Sequence, residues 1–240
     1  VDLINLGNVH RSLGHYRKAI EYIEDGMKIV KKIGDRRSEG ACLGNMGVIY
    51  ESLGQHQKAI DYSEEALKIA KEIGDRHTEG RWLDGLGRAY HSLGQNKKAI
   101  SYYLEALKIA KEIYDRKAEG SLLGGLGIVY NSLGQYHKAI YYYKKSFNIA
   151  KEVGDKKNEG ACFGNLSNTY KSLGQYEKAI DYSKEALKIH REIGDRQNEG
   201  RRLAGLGDSY LSLGQYQRAI SYYEEALKIA REIEDIQSEA

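Results

Sequence analysis

The tripeptide Ser-Leu-Gly begins at Ser12, Ser52, Ser92, Ser132, Ser172 and Ser212, a spacing of 40 residues kept without a break through the 240-residue chain. Lys-Ala-Ile or Arg-Ala-Ile follows each copy at a constant offset. A fixed period of this size outranks length as a guide to architecture, because it marks a small unit that is copied in tandem and buries its apolar faces against its neighbours. Six copies set the expected boundaries at 1–34, 35–74, 75–114, 115–154, 155–194 and 195–234, with 235–240 read as the start of a further helix.

Each copy holds two segments whose apolar residues recur at helical spacing, such as Leu123, Leu126, Tyr130 and Leu133 in the first and Ala59, Tyr62, Ala66, Ile69, Ala70 and Ile73 in the second. The spans expected in the third copy are Arg76–Ser92 (helix A) and Asn96–Ile113 (helix B), the others following at multiples of 40. Gly54, Gly94, Gly134, Gly174 and Gly214 stand where helix A would end in a left-handed cap. Gly34-Asp35, Gly74-Asp75, Gly154-Asp155 and Gly194-Asp195 end helix B and supply an aspartate to cap the next helix. Tyr114-Asp115 and Glu234-Asp235 lack that glycine, so tighter or more continuous junctions are expected there. Gly47, Gly87 and Gly127 lie inside helix A at a propensity cost of about 0.5–1 kcal/mol each, and are expected to pack on Ala59, Ala99 and Ala139 of helix B. The fold class is all-α.

The run Leu86-Gly87-Arg88-Ala89-Tyr90, then Leu93-Gly94, Ala99, Tyr103 and Ala106, resembles the signature of the tetratricopeptide repeat family, and the match extends over essentially the whole chain. The chain departs from that family's common form in its 40-residue period and in lacking proline altogether. In this it is similar to the long-repeat arrays of the cell-polarity adaptors Pins and LGN, and to arrays fused to NTPase or protease-like signalling modules. The resemblance implies a right-handed superhelical α-solenoid of six tandem helix-turn-helix repeats. It also implies a scaffold that binds a protein or peptide in a concave groove lined by the A helices. Transferred position by position, the groove comprises Asn8, Arg11, Val48, Glu51, Arg81, Asp84, Arg88, His91, Ile128, Asn131, Asn168, Lys171, Arg201, Asp208 and Leu211. Asn5, Asn45 and Asn165 stand where the family's asparagine bonds a ligand backbone, with Gly85, Gly125 and Gly205 in the other copies. Arg37, His77, Lys117 and Lys157, one turn upstream, add positive charge, so the expected ligand is extended and acidic or phosphorylated.

Catalysis and cofactors have no foothold in the pattern. The seven histidines show no His-Glu-x-x-His motif and no cysteine at metal-ligand spacing, so no metal is expected. Gly124, Gly125 and Gly127 follow no strand and precede no Gly-Lys-Ser/Thr, which removes the phosphate-cradle reading. Glu64-Glu65 and Glu224-Glu225 read as a solvated helix face with Lys68 and Lys228 at helical spacing. Tyr50, Tyr90, Tyr130, Tyr170 and Tyr210 fall at core registers rather than forming stacking platforms for nucleic acid. Asn165-Leu166-Ser167 matches a glycosylation sequon only by chance.

A net charge of +3 with both signs interleaved gives no general polyanion surface, which disfavours RNA binding by a helical repeat. Cys42 and Cys162 are three repeats apart, beyond disulfide reach, and with no apolar span and no leader before Val1-Asp2-Leu3 a cytoplasmic setting is expected. The remaining alternative is a structural spacer or self-assembling rod whose uncapped ends stack head to tail.

Overall fold

The computed structural model describes residues 2–239, and side chains as far as 234. Every described element is helical: α1 (Asp2–Ser12), α2 (Tyr16–Ile33), α3 (Arg36–Ser52), α4 (His56–Glu72), α5 (Arg76–Ser92), α6 (Asn96–Glu112), α7 (Arg116–Ser132), α8 (Tyr136–Glu152), α9 (Lys156–Ser172), α10 (Tyr176–Glu192), α11 (Arg196–Ser212) and α12 (Tyr216–Glu239). The expected spans agree with α5 at both ends and with α6 to within one residue. These helices make six hairpins in two compact units, 1–115 and 116–240, each a short solenoid of three hairpins.

Local chemistry explains the breaks. Gly14, Gly54, Gly94, Gly134, Gly174 and Gly214 close the odd-numbered helices at φ between 69° and 75°, a region in which a Cβ is penalised. The even-numbered helices hand over to an aspartate: Asp35, Asp75, Asp155 and Asp195 each accept a hydrogen bond from the backbone N–H three residues on, at 3.0–3.1 Å. Tyr114 corrects an expectation, since the junction is neither tighter nor continuous there. It adopts φ 58° and repeats the glycine turn, with Asp115 N–H donating to Ala110 O at 2.8 Å. At Glu234-Asp235 the backbone stays helical to Glu239. The side chains of 235–240, where a further helix was expected to begin, lie outside the described residues.

The two helices of a hairpin meet at one register. A Cβ on Gly87, Gly127 or Gly207 would stand 2.5–2.9 Å from the ring of Tyr103, Tyr143 or Tyr223, so glycine there leaves room for a tyrosine from the even helix. Gly47 faces Ser63 instead, and in the fifth hairpin Ser167 takes the glycine's place and bonds Ser183 Oγ at 2.6 Å. The expected side-chain partners Ala59, Ala99 and Ala139 are therefore replaced by the residue one turn further along; of Ala59 only the carbonyl approaches, 3.2 Å from the virtual Cβ of Gly47.

Two further layers repeat. Tyr50 stacks on Tyr62, Tyr90 on Tyr102, Tyr130 on Tyr142, Tyr170 on Tyr182 and Tyr210 on Tyr222, at 5.2–5.4 Å and within 7° of parallel, with Lys58, Lys98, Lys138, Lys178 and Arg218 over the odd-helix rings. An arginine also joins the two helices over a buried glutamate: Arg76 pairs with Glu79 of its own helix at 2.6 Å and with Glu112 of the next, and Arg196 pairs with Glu199 at 2.5 Å and with Glu232. Burial pushes the Glu199 carboxyl up, yet hydrogen bonds from Arg191 and Arg196 outweigh it and hold the group below the usual range.

Within each unit consecutive helices pack, and the odd-numbered helices also pack on one another: α1 on α3, α3 on α5, α7 on α9, α9 on α11. Among the described residues the even-numbered helices of a unit make no such backbone approach and are bridged instead by long side chains, Lys71 of α4 with Glu105 of α6 at 3.1 Å and Arg191 of α10 with Glu225 of α12. The odd-numbered side is thus the short, inner side of each unit.

Two outcomes follow from this packing. Gly47→Ser should be close to neutral, because Ser63 can turn its hydroxyl as Ser183 does, whereas Gly127→Ser should cost about 1–3 kcal/mol against the Tyr143 ring; thermal melts that move equally for both would contradict the shared-volume account. His190, buried where other hairpins carry Ala70, Ala110 and Ala150, lies 3.5 Å from Asp195 Oδ2 without a hydrogen bond to Nδ1. Burial lowers its affinity for a proton below the ordinary value of 6.5, Asp195 and Glu199 opposing and Arg202 reinforcing. The folded state therefore binds fewer protons at this site than the unfolded chain, and the stability it contributes above pH 6.5 is lost as pH falls through the depressed value. His190→Ala should flatten the stability profile between about pH 7 and 5 relative to wild type; parallel profiles would assign the effect elsewhere.

Candidate functional site

Three helices of the first unit shape the inner side. α1 supplies Asn5, Asn8 and Arg11; α3 supplies Asn45, Val48 and Glu51; α5 supplies Arg81, Trp82, Asp84 and Arg88. Helical spacing puts each set on one face. Two clefts open there. The first, of about 520 Å³, is lined by Asn5, Asn8, Asn45, Arg37 and Thr78, and the second, of about 470 Å³, by Val48, Glu51, Asp84, Gly85 and Arg88. Arg11, Arg81 and Trp82 line both. Nine sequence-predicted residues are thereby brought to one place: Asn5, Asn8, Arg11, Asn45, Val48, Glu51, Arg81, Asp84 and Arg88. His91 lines neither cleft; its Nδ1 lies 2.9 Å from Asn96 Oδ1 at the turn into α6.

The charges are more balanced than expected. Burial raises the proton affinity of Asp84 and of Glu51, and Arg88 opposes it in both cases, standing 3.2 Å from Asp84. Arg37, His77 and Lys117, expected as positive groove charges, lie 3.7–4.0 Å from Asp75, Asp115 and Asp155, the aspartates that precede α5, α7 and α9. Lys157 likewise acts on Asp195. Arg11 and Arg81, among the described residues, are in no ion pair; Arg81 instead lies over the Trp82 ring at 5.3 Å.

In the second unit the predicted positions are partly committed to the fold. Thr169 Oγ1 lies 2.9 Å from Asn131 Oδ1 and 2.8 Å from the Asn165 carbonyl oxygen, its single proton shared between the two acceptors. Lys171 donates to Asp208 Oδ2 at 2.7 Å, while Asp208 Oδ1 accepts from Tyr223 at 2.8 Å. Asn168 and Arg201 are exposed on α9 and α11. Sequence reasoning missed Trp82 and Arg202, which occupy the same register of the third and sixth copies. The signal was a glycine 38 residues earlier. A Cβ on Gly44 would stand 2.0 Å from the Trp82 indole, and one on Gly164 would stand 2.6 Å from the Arg202 guanidinium.

No group of three or more histidine, cysteine, aspartate or glutamate side chains could hold a metal ion among the described residues. Among them, too, no helix is long and apolar enough to cross a membrane. Cys42 and Cys162 are both free and buried, with burial pushing each thiol up to about 11.

Helical hairpins packed in order, with variable side chains on the odd-numbered face of a uniform frame, define a helical-repeat protein. The tetratricopeptide repeat profile matches residues 2–72, 38–112, 118–192 and 168–232, and the chain belongs to that family. Among solved structures it is similar to BtubC from P. vanneervenii, at 18% identity and a TM-score of 0.79, over 91% of this chain and 92% of the other. It is also similar to a signal-transduction ATPase with a tetratricopeptide repeat sensor from Pyrococcus horikoshii, at 24% identity and a TM-score of 0.82, over 95% of this chain and 35% of the other. A third likeness is the Rap conjugation gene regulator of plasmid pLS20 in complex with the Phr* peptide, at 16% identity and a TM-score of 0.71, over 98% and 74%. At these identities the likeness is one of fold. No curated protein matches the chain significantly.

Proposed function

We propose that this chain is a protein-interaction scaffold that takes a peptide or protein segment on the odd-helix side of its units, and that the segment is extended and anionic. The observation that carries the reading is the pair of clefts in the first unit, where α1, α3 and α5 gather amide and guanidinium side chains on the inner side of a rigid frame. Family membership supports it, as does the peptide complex of the Rap regulator that shares the fold. Arg11 and Arg81 favour an anion, since the other cations of this face already stand near carboxylates. The side chains at the inner registers are suited to holding a ligand by hydrogen bonds and charge rather than to transforming it, so the role is binding without catalysis.

A second reading is head-to-tail self-association. Leu6 and Val9 on α1 and Ile220 and Leu227 on α12 are exposed, while Met46, Ile49, Ile180 and Leu187 at the same registers are buried. Light scattering over a concentration series decides it: a constant monomer mass would remove this reading.

The binding reading is tested by selecting a displayed library of random dodecapeptides on the immobilised chain and titrating the enriched sequences by fluorescence anisotropy. Enrichment of peptides rich in Asp and Glu is expected, with at least a tenfold loss of affinity in Arg81→Glu/Arg88→Glu. No enrichment, or equal affinity for both proteins, would remove the groove from the account.

A further inference from the structure

Trp82 is the single tryptophan of the chain and is only 5% exposed. Its indole reaches from α5 to α3 and fills the space that the missing side chain of Gly44 leaves open. It separates the two clefts and lines both, in company with Arg11 and Arg81. In that buried position its Nε1–H has no acceptor. Arg11 Nε–H and Asn8 Oδ1, also buried and lining the first cleft, have no partner either.

Buried polar atoms in folded proteins are almost always paired, so three orphans on residues that line one cleft leave hydrogen-bonding capacity there for water or a bound group to take up. Their chemistry is specific: two donors, one of them on a guanidinium, and one amide oxygen. Arg81 adds a second cation over the indole face at 5.3 Å. The same register of the second unit shows what a self-sufficient version looks like. There Arg202 fills the space beside Gly164 and donates to the Gly164 carbonyl at 2.9 Å, leaving that contact closed within the chain.

We infer that the Trp82 shelf is the specificity subsite for an anionic side chain of a bound peptide, with Trp82 Nε1 and Arg11 Nε donating to its oxygens, Arg81 supplying the second positive charge and Asn8 Oδ1 accepting a backbone N–H of the same peptide. This rests on the peptide-binding reading and adds to it the place and the chemistry of one contact. A carboxylate and a phosphate share the oxygen geometry that such a site recognises. The volume of either cleft, about 520 and 470 Å³, admits both.

Trp82 emission reports this subsite alone, while the anisotropy of a labelled peptide reports binding anywhere on the chain. The probe is a C-terminally amidated dodecapeptide of alternating Ala and Glu, with one matched version carrying Gln and another carrying phosphoserine in place of Glu. Titration of the full chain with the Glu peptide should change both signals with one shared Kd, and the Gln peptide should bind at least tenfold more weakly. Whichever of the Glu and phosphoserine peptides binds more tightly identifies the anion. Trp82→Phe, read by anisotropy, and Arg11→Gln, read by both signals, should each weaken the tighter peptide about tenfold. If Trp82→Phe lowers the thermal melt, Arg11→Gln carries the test alone. A rise in anisotropy with no change in Trp82 emission would leave the scaffold reading intact and overturn the subsite. Equal affinity for all three peptides would overturn its anion chemistry, and silence in both signals would overturn the inference outright.

Discussion

Everything in this molecule depends on how closely the two helices of a hairpin can approach, and that distance is governed by one shared volume. The odd-helix residue and the even-helix residue at the crossing divide it between them: glycine with tyrosine in three hairpins, glycine with serine in the second, serine with serine in the fifth. A close-packed interior leaves no slack for both to be large. Because the division is made inside each hairpin, the outer dimensions of the repeat stay constant while its filling changes. Constant dimensions allow the next hairpin to stack in register, and stacking brings odd helices into contact along the inner side.

Most of the frame was legible in the sequence, because its causes are local. Glycines at left-handed turns, aspartates at helix starts and apolar residues at helical spacing act within a few positions, and α5 begins and ends where they say. The partner of the internal glycines was not legible. A period gives the register of each helix separately and says nothing about the crossing point, so a displacement of one turn moved the contact from alanine to tyrosine or serine. Tyr114 shows the converse. It takes the left-handed turn at φ 58° that glycine takes at the other breaks, at an αL penalty of about 1–2 kcal/mol that its residue type gave no reason to expect.

The inner face followed the same division. Residues reached the first unit's clefts because helix periodicity decides which side a residue faces, and Asn5, Asn8, Arg11, Asn45, Arg81, Asp84 and Arg88 needed nothing more. The balance of charge there depends on contacts between successive repeats, such as Arg37 with Asp75, and those involve side-chain reach that spacing does not encode. Trp82 escaped notice for a related reason. Its register holds Cys42, Leu122 and Cys162 in other copies and reads as ordinary core; only its size, set against Gly44 in the preceding repeat, distinguishes it. The buried glutamates pass for surface residues until Arg76, Arg196 and their counterparts are seen closing over them.

The odd-numbered helices of a unit approach backbone to backbone, whereas the even-numbered ones are joined by long side chains such as Lys71 with Glu105 and Arg191 with Glu225, and this gives each unit a mechanical asymmetry. Pages bound along one edge fan more readily along the other, and here the binding edge is the glycine-rich row of odd helices while the even helices are margins tied by long, flexible side chains. A spacer of an ångström or two inserted at the bound edge is therefore levered into a wider swing at the outer rim.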